Sequence, residues 1–219
     1  MVKVESVLGI DRIVRILGSD HVYDGDFASA IWRIPVYKKF PVRYTNDTLL
    51  RAAEQNKFGG NDWHLGFVFG LPLARQYEIL HYSPDRKIKF QNAVPLLDDE
   101  VLWSRNELVR FPRGMYLIDF KKRLMEKDWQ HQSRVIDSYG SKFRRAPEEM
   151  VMEMALSFQY MIGKRLLNNF LHWGRNESLP GLRVAVGESA HGVLKVDEYP
   201  EWQTGNKNVG ASIIRLWDF

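Results

Sequence analysis

Short runs of apolar and β-branched residues, separated by Pro and Gly, dominate the first half of the chain. Runs of this composition are typical of strands on a half-buried sheet. Pro35 and Pro41 interrupt one of them, which confines that run to a sheet edge or divides it into two pieces. The predicted strands cover residues 12–17, 30–44, 64–69, 77–82 and 87–94.

One helix is predicted within this strand-rich half. Residues 46–57 place Leu49 and Ala53 on one face, and Thr45 or Asn46 provides the side-chain oxygen of an N-cap. The sequence Phe-Gly-Gly follows at once, and glycine is the usual residue just after a helix ends. We therefore expect a helix of about three turns.

The hydrophobic period changes in the middle of the chain. Between residues 113 and 145 the apolar residues fall within one broad arc at 100° per residue, which predicts a helix. A second helix is predicted from Pro147, where Glu148 and Glu149 complement the positive end of the helix dipole, through Trp173 to a stop at Gly174. Three further strands are predicted at residues 182–187, 193–198 and 209–217.

These elements predict an α+β fold with antiparallel sheet elements at both ends and a central pair of long helices. The chain has 219 residues, 45% of them hydrophobic, which is enough to bury a substantial core. We expect a single domain over residues 1–219. A subdivision remains open, with a strand-rich half at 1–112 and a second half at 113–219 that contains the helix pair and a C-terminal three-stranded meander.

Composition excludes several kinds of chemistry. The absence of cysteine excludes disulfides, thiolate zinc sites, iron–sulfur clusters and cysteine nucleophiles. No two histidines have the i, i+4 spacing of a helical metal site, so we expect no bound metal. No apolar run approaches the ~20 residues that span a bilayer, and the N-terminus lacks the pattern of a secretory signal. We expect a cytoplasmic protein without a membrane contact.

Positive charge is concentrated in the centre of the chain. Residues 113–145 carry nine basic and four acidic side chains, although the net charge of the whole chain is only +4. On a helix, Arg123, Lys127 and Arg134 would lie along one line, and Arg144 and Arg145 would extend it. This pattern supports the hypothesis of single-stranded RNA or DNA binding, with an affinity that falls as salt rises. A solvated helix face carries the same residue types, so an ordinary surface is the alternative.

One set of residues points to catalysis. The sequence Pro84-Asp85 precedes, by some thirty residues, an apolar run that leads into Asp119-Phe120-Lys121. This arrangement resembles the PD-(D/E)XK nuclease family. The resemblance covers only these few residues and implies that Asp85 and Asp119 hold Mg²⁺, while Lys121 stabilises the attacking water and the developing phosphoryl charge. A nuclease that requires Mg²⁺ is therefore an alternative function.

Tryptophan content favours an interaction protein. The chain has seven tryptophans, and this residue type is enriched where a partner displaces water. Trp202, in a predicted loop, and Trp217, in the last predicted strand, are the interface candidates. We therefore favour a non-enzymatic structural or interaction subunit of a larger protein or nucleoprotein assembly, without a cofactor. It would dock protein partners or a second copy of itself, and nucleic acid is an alternative partner.

Overall fold

A computed structural model describes residues 8–81, 90–92, 112–188 and 194–218. Within these residues the fold is α+β, with two mixed sheets and six α-helices. The helices are α1 (Ile10–Leu17), α2 (Gly25–Trp32), α3 (Asn46–Lys57), α4 (Leu73–His81), α5 (Trp129–Ser138) and α6 (Glu148–Ile162). The strands are β1 (Val22–Tyr23), β2 (Trp63–Val68), β3 (Phe90–Asn92), β4 (Gly114–Asp119), β5 (Phe143–Arg145), β6 (Phe170–Leu179), β7 (Leu182–Glu188), β8 (Leu194–Pro200), β9 (Val209–Gly210) and β10 (Ile213–Arg215).

The strands form two sheets of five among the described residues. The first sheet has the order β1-β2-β4-β10-β5, and the second has the order β3-β8-β7-β6-β9. In the first sheet β1 is parallel to β2 and the remaining neighbours are antiparallel. The second sheet contains the antiparallel meander β6-β7-β8, with β3 and β9 added in parallel at its two edges. Both sheets are therefore mixed.

Helix α6 is the centre of the hydrophobic core. It packs against β2 of the first sheet, against β6 and β7 of the second, and against α2 and α4. Every residue from Met150 to Phe158 is buried, so the helix has no solvent-facing side over that length. Pro147 precedes its first turn, and Gly163 ends it in the left-handed conformation with φ of 71°.

Glu153 is a buried carboxylate on this helix. Its side-chain oxygens accept hydrogen bonds from the backbone N–H groups of Phe69, Gly70 and Leu71, at 2.5, 3.1 and 3.1 Å. These three residues lie directly after β2, beyond the end of its pairing with β4 at Val68 and Gly114. Burial raises the pKa of Glu153 to about 7, against the opposing effect of the three N–H donors. The carboxylate therefore fixes the exit of β2 to the central helix.

His172 links the two sheets. Its Nδ1 accepts a hydrogen bond from the N–H of Ser212 at 2.8 Å, and its Nε2 donates to the carbonyl oxygen of Ala146 at 2.8 Å. His172 belongs to β6 of the second sheet, whereas Ser212 immediately precedes β10 and Ala146 immediately follows β5, both of the first. Burial, together with the nearby Arg145 charge, lowers the pKa of His172 to about 3. The imidazole is therefore neutral in the fold.

Several predicted elements are confirmed. The structure gives a helix at Asn46–Lys57 with Thr45 as its N-cap, and the side chain of Thr45 accepts from the N–H of Thr48. Strand β2 matches the prediction over residues 64–69, and β7 and β8 match the first two C-terminal strands. The predicted strand at 87–94 contains β3, and its other residues lie outside the described part of the chain.

Other predictions are wrong. Residues 12–17 belong to helix α1, because Ile10, Ile13, Val14 and Leu17 follow a helical period. Residues 30–44 contain the end of α2 and then irregular backbone, and residues 77–81 belong to α4. Gly163 ends the second central helix well before Trp173, which lies in β6.

The predicted helix pair in the centre is not confirmed. Residues 114–119 form β4, which lies between β2 and β10 and is buried along its whole length. A central strand that is covered on both faces carries a continuous apolar run, and such a run does not distinguish strand from helix. Helix α5 begins only at Trp129, with Asp128 as its N-cap. The predicted last strand is divided between β9 of the second sheet and β10 of the first.

None of the helices in the described part of the chain is both long and apolar enough to cross a membrane.

Replacing Glu153 with Gln should destabilise the fold by about 2–4 kcal/mol, because the amide offers one acceptor oxygen to three buried N–H groups and turns its own NH₂ towards them. Urea unfolding followed by circular dichroism measures the change. Glu54→Gln, on the exposed face of α3, is the matched control and should stay within about 0.5 kcal/mol of the wild type. An equally small effect at Glu153 would contradict the role given to its carboxylate.

The contribution of His172 should depend on pH with a definite sign. Its folded pKa lies below the unfolded value of 6.5, so the unfolded chain binds the extra proton, and stability is lost as pH falls through that range. The difference in free energy of unfolding between wild type and His172→Gln should therefore shrink by about 2 kcal/mol from about pH 7 to about pH 5. Urea titrations of both proteins at the two pH values test this. A difference that is independent of pH would refute a buried neutral imidazole.

Candidate functional site

Several ionisable and polar side chains lie close together at one end of the first sheet. Strand β2 begins there and the antiparallel strand β4 ends there, with Trp63 paired to Asp119. The parallel strand β1 also begins there, preceded by a short 3₁₀ turn, Ser19–His21. The register of these three strands brings together residues that are far apart in the sequence.

Asp119 lies at the end of β4 with its carboxylate buried, 1% exposed. Oδ1 accepts the N–H groups of Asp62 and Lys121 at 2.7 and 3.0 Å. Oδ2 accepts the Asn61 side-chain amide at 2.6 Å and Nε of Arg123 at 3.0 Å. Each oxygen therefore already has two donors, and the carboxylate fixes the loop before β2 to the end of β4.

Lys121 and Arg123 support the same loop. Nζ of Lys121 donates to the carbonyl oxygen of Gly59 at 2.9 Å, and the guanidinium of Arg123 donates to that of Gly60 in addition to its ion pair with Asp119. Asp119 ends β4, and Lys121 follows two residues later. The carboxylate is occupied by local donors, however, and Asp85 lies outside the described residues.

His21, Asp62 and His64 form a second group beside this loop. Nε2 of His64 lies 2.9 Å from Oδ1 of Asp62, and Nδ1 of His21 lies 4.0 Å from the same oxygen. The two imidazole rings are 4.4 Å apart at 30°, and Nδ1 of His21 is 3.1 Å from the carbonyl oxygen of Trp63. His64 is fully buried, whereas the side chains of His21 and Asp62 are 17% and 36% exposed.

Burial and hydrogen bonding give His64 and Asp62 different charge states. Burial lowers the pKa of His64 to about 4, against the opposing effect of Asp62, so that its imidazole is neutral at neutral pH. The pKa of Asp62 is lowered as well: burial opposes ionisation, but the hydrogen bond from His64 and the nearby positive charges outweigh it. The group therefore presents an ionised carboxylate beside a neutral imidazole.

An open cleft of about 620 Å³ leads to these side chains. Its lining includes Asp20, His21, Asn56, Asp62 and Lys164. Sequence analysis missed the group because the two histidines are 43 positions apart and neither has a helical partner at metal-ligand spacing. Strand register supplies the missing information: β1 and β2 pair Val22 with Leu65, so the residues just before them, His21 and His64, are neighbours.

The basic residues of the centre do not form one helical line. Arg123 and Lys127 lie in the segment before α5, Arg134 lies on α5, and Arg144 lies in β5. Lys127, Arg134 and Arg144 are exposed, and Arg123 is held by Asp119. Three of the five candidate residues are therefore accessible to a partner.

Arg145 has a different position, because it is buried and 5% exposed. Its guanidinium donates to the side-chain oxygen of Gln132 and the carbonyl oxygen of Trp173, both at 2.9 Å, and stacks over the Trp129 ring at 4.9 Å. Burial, together with the Arg183 charge, lowers its pKa to about 9. Its contacts join α5 to β6 inside the protein.

The two candidate interface tryptophans also differ. Trp217 stacks on Tyr116 at 5.0 Å, lies under the Arg43 guanidinium at 4.5 Å, and donates from Nε1 to the carbonyl oxygen of Met115. Trp202 lies in the turn after β8 and is 77% exposed. The first indole is packed onto the first sheet, while the second faces solvent.

Replacing Asp119 with Asn should destabilise the fold by about 2–3 kcal/mol, since an amide cannot accept the four hydrogen bonds that the carboxylate receives. Thermal and urea unfolding measure the change, with Asp137→Asn, on the exposed part of α5, as control. An Asp119 variant that loses activity therefore identifies a catalytic role only if its measured stability equals that of the wild type. Asp119→Asn with wild-type stability would show that the four donors are satisfied in another way.

Comparisons with known proteins add no further indication. No protein-family model matches the chain, and searches of curated proteins and of solved structures find no match either.

Proposed function

We propose that the chain is a non-enzymatic subunit of a larger protein or nucleoprotein assembly and that it docks its partner around Trp202. The observation that carries this proposal is a large indole, 77% exposed, on a turn that the backbone holds rigidly. The N–H of Glu201 donates to the carbonyl oxygen of Gly181 at 2.9 Å, and that of Trp129 donates to the carbonyl oxygen of Glu201 at 3.0 Å. A turn whose backbone is held in this way loses little backbone conformational entropy on binding.

Basic residues flank this turn. Two backbone hydrogen bonds of 3.1 Å join Glu126 to Gly205 and Asn206, which places the segment before α5 against the loop after β8. Lys127 and Lys207 lie on these two joined loops, and both are exposed. We call Lys127, Trp202 and Lys207 the docking surface. Aromatic rings beside positive charge are suited to an acidic protein surface or to a nucleic-acid backbone with an unstacked base.

A protein partner, or a second copy of the chain, is the partner that we favour, because tryptophan is among the residues that carry most of the binding energy in such interfaces. Single-stranded RNA or DNA is the second candidate. It is favoured by the exposure of three basic side chains, Lys127, Arg134 and Arg144. The proposal includes a cytoplasmic location, and docking at this surface requires no cofactor. A nuclease that uses Mg²⁺ has less support, because the carboxylate of Asp119 is taken up by four donors.

The docking surface predicts that Trp202→Ala weakens association at least about tenfold, as expected for an interface hot spot. Sedimentation velocity of the full chain over a range of concentrations measures self-association. A gel assay with labelled single- and double-stranded DNA and RNA, at low and high salt and with EDTA, measures nucleic-acid binding. Tyr37→Ala, which removes an equally exposed ring from another part of the surface, is the matched control and should leave both measurements unchanged.

The two measurements separate the alternatives. Self-association that is lost in Trp202→Ala supports a protein assembly, and a salt-sensitive gel shift lost in the same variant supports a nucleoprotein role. Cleavage that requires Mg²⁺ and stops with EDTA would replace the proposal with the nuclease. A wild-type chain that stays monomeric and shifts no nucleic acid, or a Trp202→Ala variant identical to it in both measurements, would contradict the docking surface.

A further inference from the structure

We propose that His21, Asp62 and His64 form a binding site for a divalent transition-metal ion such as Zn²⁺. One ligand atom from each of the three side chains lies within 4.8 Å of the other two. Two imidazole nitrogens and one carboxylate oxygen are a donor set that Zn²⁺ and its neighbours in the first transition row accept readily. The site is independent of the docking surface and goes beyond the proposed function.

The separations suit a shared ion. Two ligands bound to Zn²⁺ at about 2.0–2.1 Å with a tetrahedral angle between them lie about 3.4 Å apart. Oδ1 of Asp62 lies 2.9 Å from Nε2 of His64, which is shorter than this ligand separation. The same oxygen lies 4.0 Å from Nδ1 of His21, which is longer. Closing the second separation requires the His21 ring to turn away from His64, so that Nδ1 leaves the carbonyl oxygen of Trp63, 3.1 Å away. The partly exposed His21 side chain, on a short 3₁₀ turn, has room to do so on the cleft side. In each ligand histidine the proton on the coordinating nitrogen moves to the other nitrogen of the same ring, which keeps the bound imidazole neutral.

The donors favour a transition metal over Mg²⁺ or Ca²⁺. Those two ions prefer oxygen ligands throughout, and Ca²⁺ takes six or more of them. This group offers one ionised carboxylate and two nitrogen donors. Imidazole nitrogen binds Zn²⁺, Ni²⁺ and Cu²⁺ well, and a four-coordinate ion needs only one further ligand here. The chemistry therefore differs from the oxygen-only site that the nuclease resemblance implies.

Access to the group is available from one side. His64 is anchored in the buried strand β2, with its ring against Phe120 and Phe158, which fixes one ligand in the core. His21 and Asp62 line the open cleft, together with Asp20 and Lys164. An ion held by three protein ligands would keep a position towards this cleft for water or for a small ligand.

Backbone hydrogen bonds fix the position of Asp62, one of the three proposed metal ligands. Its N–H donates to Oδ1 of Asp119 at 2.7 Å, and the carbonyl oxygen of Asp62 accepts from the N–H of Phe120 at 2.9 Å. Both partners belong to the end of β4 and the residue after it. The main chain at Asp62 is therefore fixed, while its carboxylate, 36% exposed, remains free of the donors that saturate Asp119. Such preorganisation lowers the entropy loss on binding an ion.

Calorimetric titration of the metal-free full chain with Zn²⁺ tests the site. We expect one ion per chain, and we expect His21→Ala and Asp62→Asn to weaken the Kd at least about tenfold, as loss of a ligand does. His131→Ala, on helix α5, removes a histidine outside the group and should leave the Kd within about twofold. Co²⁺ provides a second readout, because its visible absorption reports the geometry of its ligands. The visible bands of the wild type should be lost in His21→Ala.

Folding of each variant is checked by circular dichroism and thermal unfolding. His21→Ala decides the test if Asp62→Asn is unstable, because His21 is partly exposed and lies outside the sheet ladder. A wild-type chain that takes up no Zn²⁺ would overturn the proposal. So would a His21→Ala variant that binds the ion with wild-type affinity, because the ion would then be held by other residues.

Discussion

The burial of helix α6 between the two sheets is the constraint on which the rest of the structure depends. A helix that is covered on every side has no face on which to leave polar groups in water. Each polar side chain within it must therefore find its partner inside the protein. Glu153 accepts three backbone N–H groups after β2, and the hydroxyl of Ser157 accepts from Nε1 of Trp32 at 3.0 Å and donates to the carbonyl oxygen of Glu153 at 2.8 Å. These bonds attach α2 and β2 to the helix in one fixed arrangement.

Hydrogen bonds from buried side chains then fix the two sheets and helix α5 relative to one another, because apolar contacts alone are not directional. His172, on β6 of the second sheet, bonds the backbone beside β5 and β10 of the first sheet through its two ring nitrogens. Arg145 joins α5 to β6 through the side-chain oxygen of Gln132 and the carbonyl oxygen of Trp173. Buried polar groups of this kind gain their strength from the low local dielectric and are costly when a partner is lost. The candidate site inherits this rigidity, because His64 lies on β2, the strand that α6 and Glu153 fix in place.

Local signals explain which elements could be predicted from the sequence. Helix α3 carries its own cap, period and glycine stop, and the start of α6 carries Pro147 and two acidic residues, so neither needs tertiary information. Helix α1 is predicted as a strand from its β-branched residues over 12–17, although the helical period becomes visible once Ile10 is included. Strand β4 was predicted as part of a helix because its burial on both faces removes the alternation that identifies a strand.

The candidate site required information that no local pattern contains. Asp119 and Lys121 attracted attention through a short motif, and the structure places them at the end of a strand, but their side chains hold the loop at residues 59–62. His21 and His64 carried no motif, and only the register between β1 and β2 makes them neighbours. Asp119 and Asp62 therefore have different roles in this region. Asp119 uses both oxygens to fix the loop, and by accepting the N–H of Asp62 it leaves the Asp62 carboxylate facing the histidines and the cleft. Asp119, which its sequence motif suggests as a catalytic residue, is thus better explained as a residue that positions Asp62. The group of His21, Asp62 and His64 has no motif in the sequence.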